Sequence, residues 1–250
     1  HGVLFRGGEE ETIRKQLIEN DHIDTIIGLP SNIFFGTGIP TIVMVLKQKR
    51  TDSDVLFIDA SKHYSKQGKN NVLQASDIKR ILDAFIERKN DTKFDKFSRL
   101  VTKQEIRDNG YNLNIPRYID SGLKSDSYDL YATVFGGIPN QEIDELKQYF
   151  NIFPTLINDL FIFSSDKPYA VLNTEDISRT ISQNNEVKSF IASFQSSFDD
   201  LENYMKLRLT SDLLNKNINE EKNNIAEYIF CKLHAYPILD KYAAFQILDD

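Results

Sequence analysis

Two adjacent phenylalanines set beside glycines, Phe34 and Phe35 followed by Gly36 and Gly38, are the side chains here best suited to act on something outside the chain. An aromatic face at the mouth of a sheet can stack on a flat ring, and glycine lets a ligand approach the backbone closely. The competing reading, favoured by the base rate, makes both rings ordinary core anchors. A second group is the basic cluster Lys47, Lys49 and Arg50, which could touch a phosphate backbone or form the solvated tip of a hairpin. His63, Tyr64, Lys66, Lys69 and Asn70 follow in a stretch read as a loop, with the same two possibilities.

Self-contained catalytic signatures are missing. No G-x-x-x-x-G-K-[ST], H-E-x-x-H, C-x-x-C or G-x-S-x-G stretch occurs, so the usual phosphate, zinc, dithiol and serine-nucleophile motifs are excluded. Gly7-Gly8 lacks the spacing of a dinucleotide loop and reads as a turn. His234 has no second histidine or carboxylate at metal-ligand spacing, and no metal site is expected.

The elements that must position the aromatic pair are two apolar runs at residues 23–29 and 41–46, flanking a loop with Pro30, Gly36, Gly38 and Pro40. Both have the composition and length of strands and together predict a hairpin-like pair. The unbroken VMVL run implies cover on both faces. Upstream, residues 2–5 read as a strand, leading through the glycine turn into a helix whose apolar face is Ile13, Leu17 and Ile18. A third strand spans residues 55–61. Ser76 or Asp77 caps a helix to about Arg88, with Ile78, Ile81, Leu82 and Phe85 as its stripe.

The charged stretch 89–98 is expected to be tacked down by Phe94 and Phe97, and a short helix over 103–108 stops at Asn109-Gly110. In YNLNIPRYID the alternation of Tyr111, Leu113 and Ile115 predicts an extended segment, leaving Asn112 and Asn114 free to hydrogen-bond. Residues 121–128 read as a linker. Beyond it helical periodicity takes over, best over residues 186–209, with a polar break at 217–222.

The net charge of −7 and pI near 5.2 exclude a generally basic DNA-coating protein, although local basic segments remain. The lone Cys231 rules out an internal disulfide, fits a reducing cytoplasm and reads as a buried small hydrophobe. No apolar run approaches the roughly 18–20 residues that span a bilayer, so no membrane is expected.

The stretch GVLFRGGEEETIRKQLIENDHIDTIIGLPSNIFFGTGIPTIVMVLKQKR, with VLFIDASKHYSKQGKNNVL, YNLNIPRYID and PILDKYAAFQIL in the same order, resembles the modification subunit of type I restriction-modification systems, an adenine-N6 DNA methyltransferase. The resemblance implies an α/β fold, the rear part of a Rossmann-like methyltransferase sheet in residues 1–120, followed by an all-α helical region for subunit assembly in 121–250. It implies S-adenosylmethionine as cofactor, double-stranded DNA as substrate, and the specificity and restriction subunits as partners.

The family's glycine-rich donor loop and its Asn/Asp-Pro-Pro-aromatic loop do not occur here and are expected upstream of His1. No catalytic residue is therefore expected in this chain. By the resemblance, Phe35, with Phe34 as neighbouring candidate, stacks on the adenine swung out of the duplex. The alternative is a non-catalytic helical module that binds the specificity subunit.

Overall fold

The computed structural model describes residues 2–88, 97–119, 129–164, 167–210 and 217–249. The chain divides into two compact units, His1–Leu123 with Asp240–Asp250, and Lys124–Leu239. The first is built on a four-stranded mixed sheet. Its strands are β1 (Ile23–Gly28), β2 (Ile42–Leu46), β3 (Val55–Asp59) and, after a separate hairpin of β4 (Ser65–Gln67) and β5 (Asn70–Val72), β6 (Ser98–Val101). The order is β2-β1-β3-β6. β1 runs antiparallel to β2, with Ile26 opposite Met44, and parallel to β3, with Ile26 opposite Phe57.

Every residue of β1 is buried, because each face carries a layer. One layer gathers Ile23, Ile26, Val55, Phe57 and Val101 of the sheet with Leu4, Ile18, Ile106, Leu113, Ile115 and Tyr118. The other packs Ile27, Leu56, Ile58, Ala60 and Phe97 against Ile81, Ala84 and Phe85. In a regular strand Ile23 and Ile26 would face opposite ways. An irregularity between Ile23 and Thr25 puts both in the same layer.

Several expectations are corrected here. β2 is not covered on both faces: it lies at the sheet edge, and Val43 and Leu46 are 44% and 54% exposed. Residues 2–4 form a 3-10 turn rather than a strand, closed by Phe5 and Arg6 amides donating to Gly2 O. That turn is held by Arg14, which is buried and donates to Val3 O and Arg6 O. Arg14 and Ile18 are the buried residues of α1 (Glu9–Glu19), with Leu17 packed beside them, while Ile13 is exposed. On α2 (Ala75–Glu87) the packed stripe is Ile81, Ala84 and Phe85, with Ile78 and Leu82 outside it. Its cap is Gln74 in a capping box with Asp77. Phe97 is buried, whereas Phe94 and the linker at 121–128 lie outside the described residues.

α3 (Lys103–Asp108) is capped by Thr102 and followed by Gly110 at φ +64. Arg107 and Tyr111 both bond Glu19 at the end of α1, and the Arg107 hydrogen bond is the main reason its carboxyl is lowered to about 2. A terminal helix (Lys241–Asp249) also belongs to this unit. It buries Phe245, and Gln246 Oε1 accepts from Ser76 N at 3.1 Å, satisfying one of the orphan amides in the first turn of α2.

The second unit is not all-α. After α4 (Leu130–Phe135) come β7 (Ile138–Pro139), β8 (Phe161–Phe163) and β9 (Tyr169–Leu172), which form a three-stranded antiparallel sheet in the order β7-β9-β8. The Phe161-Ile162-Phe163 run, in the region expected to be helical, pairs instead with Leu172, Val171 and Ala170, as aromatic and β-branched residues favour. Between β7 and β8 lie α5 (Asn140–Glu145), α6 (Lys147–Phe150) and α7 (Leu156–Leu160).

The core of this unit joins Phe153, Leu156, Leu160 and Val187. Buried Asn184 locks it: Asn184 Oδ1 caps the amides of Glu186 and Val187, while its Nδ2 reaches Thr155 and Asp159. The periodic stretch 186–209 is two helices after α8 (Ile177–Gln183), namely α9 (Asn185–Ser197) and α10 (Leu201–Thr210). Ser196 and Ser197 hydroxyls bond the carbonyls three residues back, which competes with helix continuation. The polar residues after 217 do not break the chain either: Asn217 caps α11 (Ile218–Leu233). Cys231 is exposed rather than buried. Among the described residues no helix is long and apolar enough to cross a membrane.

The first unit has an ionic centre at the start of β1. Asp24, 2% exposed, lies 3.1 Å from both Lys47 Nζ and an Arg88 guanidinium nitrogen, and 3.2 Å from Arg50 Nε. Arg50 also donates to Ile23 O and to Asp52. Burial pushes the Asp24 carboxyl up, but hydrogen bonds from Lys47 and Thr25 and the charges of Arg88 and Lys47 outweigh it and leave it below its ordinary value. Removing one partner of such a buried cluster strands the others. Asp24→Ala is expected to lower the stability of the first unit by about 3–5 kcal/mol, seen as a drop in the urea midpoint. Because the folded pKa is depressed, this contribution is present above the ordinary aspartate value of 3.8 and is lost as pH falls through the folded one.

Candidate nucleic-acid interface

The aromatic pair sits where β1 ends. β1 and β3 run parallel, and Gly28 lies opposite Asp59 at their carboxyl ends, the edge at which open α/β sheets bind ligands. The backbone is closely packed there: a Cβ on Gly28 would come 2.7 Å from Ile115 Cδ1, so that side chain would have to shift. From this point the chain leaves as a loop closed at its base by Leu29 N donating to Thr41 O at 2.9 Å. Phe34 is 56% and Phe35 93% exposed. The core-anchor reading is therefore excluded, and an exposed ring of this size is what a stacking partner needs.

The loop is shaped by left-handed residues and by a brace. Asn32 has φ +53 and Gly36 φ +80, conformations that asparagine and glycine tolerate best. The brace is Asn71 on β5, 7% exposed. Its Nδ2 donates to Ser31 O at 2.7 Å and its backbone amide donates to Asn32 O at 3.0 Å. Sequence reasoning passed over Asn71, although the polar run Lys66 to Asn71 does carry a turn signal at Gly68. Residues 65–72 are a hairpin rather than a loop, with Lys66 opposite Asn71.

Two further groups lie near this end. Asn112 is occupied, its Oδ1 accepting from Asn114 N. Asn114 precedes the Ile115 that packs on Gly28, and both Asn114 Oδ1 and Thr41 Oγ1 are buried without a hydrogen-bond partner among the described residues.

The basic cluster does not stay together. Arg50 has a side chain only 2% exposed and is held by Asp24, Asp52 and backbone carbonyls. Lys47 is paired with Asp24 and lies over the Phe85 ring. Lys49 is exposed. Arg50 and Lys47 thus serve the ionic centre, and the solvated-tip description fits Lys49 alone.

The chain belongs to the N-6 DNA Methylase family, whose model matches residues 1–127, the stretch that contains β1 to β6 and the aromatic loop. Within that family it is similar to methylase subunits of type I restriction enzymes. It is 34% identical over 160 residues to the MpnII methylase subunit of Mycoplasma pneumoniae, covering 64% of this chain and 28% of the relative. With the MjaVII methylase subunit of Methanocaldococcus jannaschii it shares 35% identity over 153 residues, covering 59% of this chain and 24% of that one. The chain thus spans about a quarter of the length of these curated relatives. Among solved structures, a type I restriction-modification methyltransferase subunit from Streptococcus thermophilus is 54% identical with a TM-score of 0.46, covering 48% of this chain and 25% of that one.

The brace can be tested directly. Asn71→Ala leaves Ser31 O without its donor, and the expected cost is about 1–3 kcal/mol of stability. Amide hydrogen exchange should rise over residues 31–38 in particular; a variant with unchanged exchange there would show that the loop holds its shape without Asn71.

Proposed function

We propose that this chain is part of the DNA-modification subunit of a type I restriction-modification system, which transfers a methyl group from S-adenosylmethionine to adenine N6 in double-stranded DNA in a cytoplasmic setting. Within that subunit, residues 1–120 are the rear of a Rossmann-like catalytic sheet. The single observation that carries the reading is Phe35, 93% exposed on a braced loop at the carboxyl end of the parallel pair, in a stretch matched by the family.

An adenine inside a duplex must swing out before its exocyclic nitrogen can be reached, and the swung-out ring needs a face to stack on. Phe35 supplies that face and Phe34 flanks it. Neither ring moves a proton or holds the methyl donor. Gly7-Gly8 does not fit S-adenosylmethionine: it follows a 3-10 turn rather than a strand and leads into a helix opening with Glu9, Glu10 and Glu11, a poor seat for a carboxylate-bearing ligand. The buried acceptors Asn114 Oδ1 and Thr41 Oγ1 are suited to hydrogen-bond a polar group brought to this edge.

In the full-length protein, Phe35→Ala is expected to reduce methyl transfer from S-adenosylmethionine to unmethylated DNA roughly tenfold, the scale of one lost base–aromatic stack, without moving the unfolding midpoint. A normal rate would remove Phe35 from the site.

A second reading, a non-catalytic interaction module, has its own support. In the second unit α4 exposes Leu130 at 77%, Val134 at 69% and Phe135 at 72%, more apolar surface than a six-residue helix normally leaves to water. We assign this unit to subunit assembly, with the specificity subunit as the partner and the restriction subunit joining the same complex. Deleting residues 124–239 should abolish co-purification with the specificity subunit, and retention of the complex would show that assembly lies elsewhere.

A further inference from the structure

We propose that the β4–β5 hairpin is an arm that grips the DNA phosphate backbone beside the base loop, with Lys66 and Lys69 as its contacts; this rests on the reading of the chain as part of a DNA methyltransferase. The first observation is one of charge. Between Asp59 and Asp77 the sequence has no acidic residue but three lysines, Lys62, Lys66 and Lys69, and the loop from Leu29 to Leu46 has no charged residue at all. In a chain of net charge −7, the hairpin and loop therefore carry positive charge and no acidic side chain of their own, the composition expected of a nucleic-acid contact.

The second observation is what several other cations of this unit do, although Lys49 is exposed like the hairpin lysines. Lys15, Lys79, Lys103 and Arg107 hold carboxylates at 2.5–2.7 Å. Lys66 and Lys69 are exposed and make no ion pair among the described residues. Cations serving only the fold would be expected to follow the first pattern, whereas a phosphate contact needs a solvated ammonium free to exchange its counterion.

Third, the hairpin is tightly turned and tied to the aromatic loop by Asn71. Its turn has only two residues, Gly68 and Lys69, with a positive φ of 63° at Gly68 alone, the pattern of a tight type II′ turn that keeps the strands from splaying. Lys66 pairs across the ladder with Asn71, and directly opposed residues share a face of the ribbon. Lys66 is thus on the face from which Asn71 reaches Ser31 O, beside the chain that carries Phe34 and Phe35. Phosphate contacts fix position and orientation on a duplex rather than read its sequence, so this arm would set where the aromatic loop meets the base stack.

The test is the salt dependence of duplex binding by the full-length protein in complex with its partners, comparing wild type with Lys66→Gln/Lys69→Gln. Binding should weaken by a similar factor on duplexes of unrelated sequence. The slope of log affinity against log salt should become shallower by about 1 for each lysine removed. In methyl transfer to unmethylated DNA, KM should rise while kcat is unchanged. The single variants should each show about half the change in slope, and Phe35→Ala should show the opposite split, a lower kcat with the wild-type slope. An unchanged slope in the double variant, or a fall in kcat alone, overturns the arm while leaving the methyltransferase reading in place. A wild-type complex that neither binds nor methylates DNA overturns both.

Discussion

Burial of one carboxylate organises the first unit. Asp24 stands at the start of the central strand, where its charge would be costly without partners. Its partners come from three places: Lys47 from the end of β2, Arg50 from the turn into β3, and Arg88 from the cap of α2. The sheet edge, the crossover and the covering helix are therefore fixed to one point. Arg88 is held at φ +47, a conformation unfavourable for its type, by bonds to Asp24 and Asp54 O. Two of the basic residues that looked available for DNA are committed here, so their clustering in the sequence does not mark a free cationic surface.

At its other end the same strand has the opposite character. Asp24 gathers charge in a dry interior, while Gly28 opens onto a loop with no charge and two exposed rings. The base contact proposed above thus lies at the end of β1 that packing leaves uncommitted. The neighbouring hairpin is tied to that loop by the hydrogen bonds of Asn71, while Lys66 and Lys69 are exposed.

Much of this was legible in the sequence because the signals were local. The strand composition of residues 23–29, 41–46 and 55–61, the stop at Asn109-Gly110 and the aromatic pair beside glycines each depend on a few adjacent residues. What escaped depended on distant partners. Arg50 could not be known as structural without Asp24, and Asn71 is a brace only because residue 31 comes within 2.7 Å of it. The exposure of Val43 reflects the place of β2 at an edge, which no periodicity within VMVL encodes. In the second unit, Phe161 to Phe163 became a strand because β9 offered a ladder, a tertiary choice that overrode local helical periodicity.

The edge position of β2 also bears on the aromatic loop in terms of local stability. Opening free energies within a fold range from near zero at weakly covered elements to the full unfolding value at the core. The loop's distal anchor is an outer strand with one hydrogen-bonded neighbour and two exposed apolar side chains, while its proximal anchor is the most deeply buried strand of the sheet. It is therefore a flap with one firm hinge and one soft one. Excursions of Phe34 and Phe35 would be governed by the fraying of β2 and the release of Asn71, and could occur many times for each unfolding of the sheet that carries them.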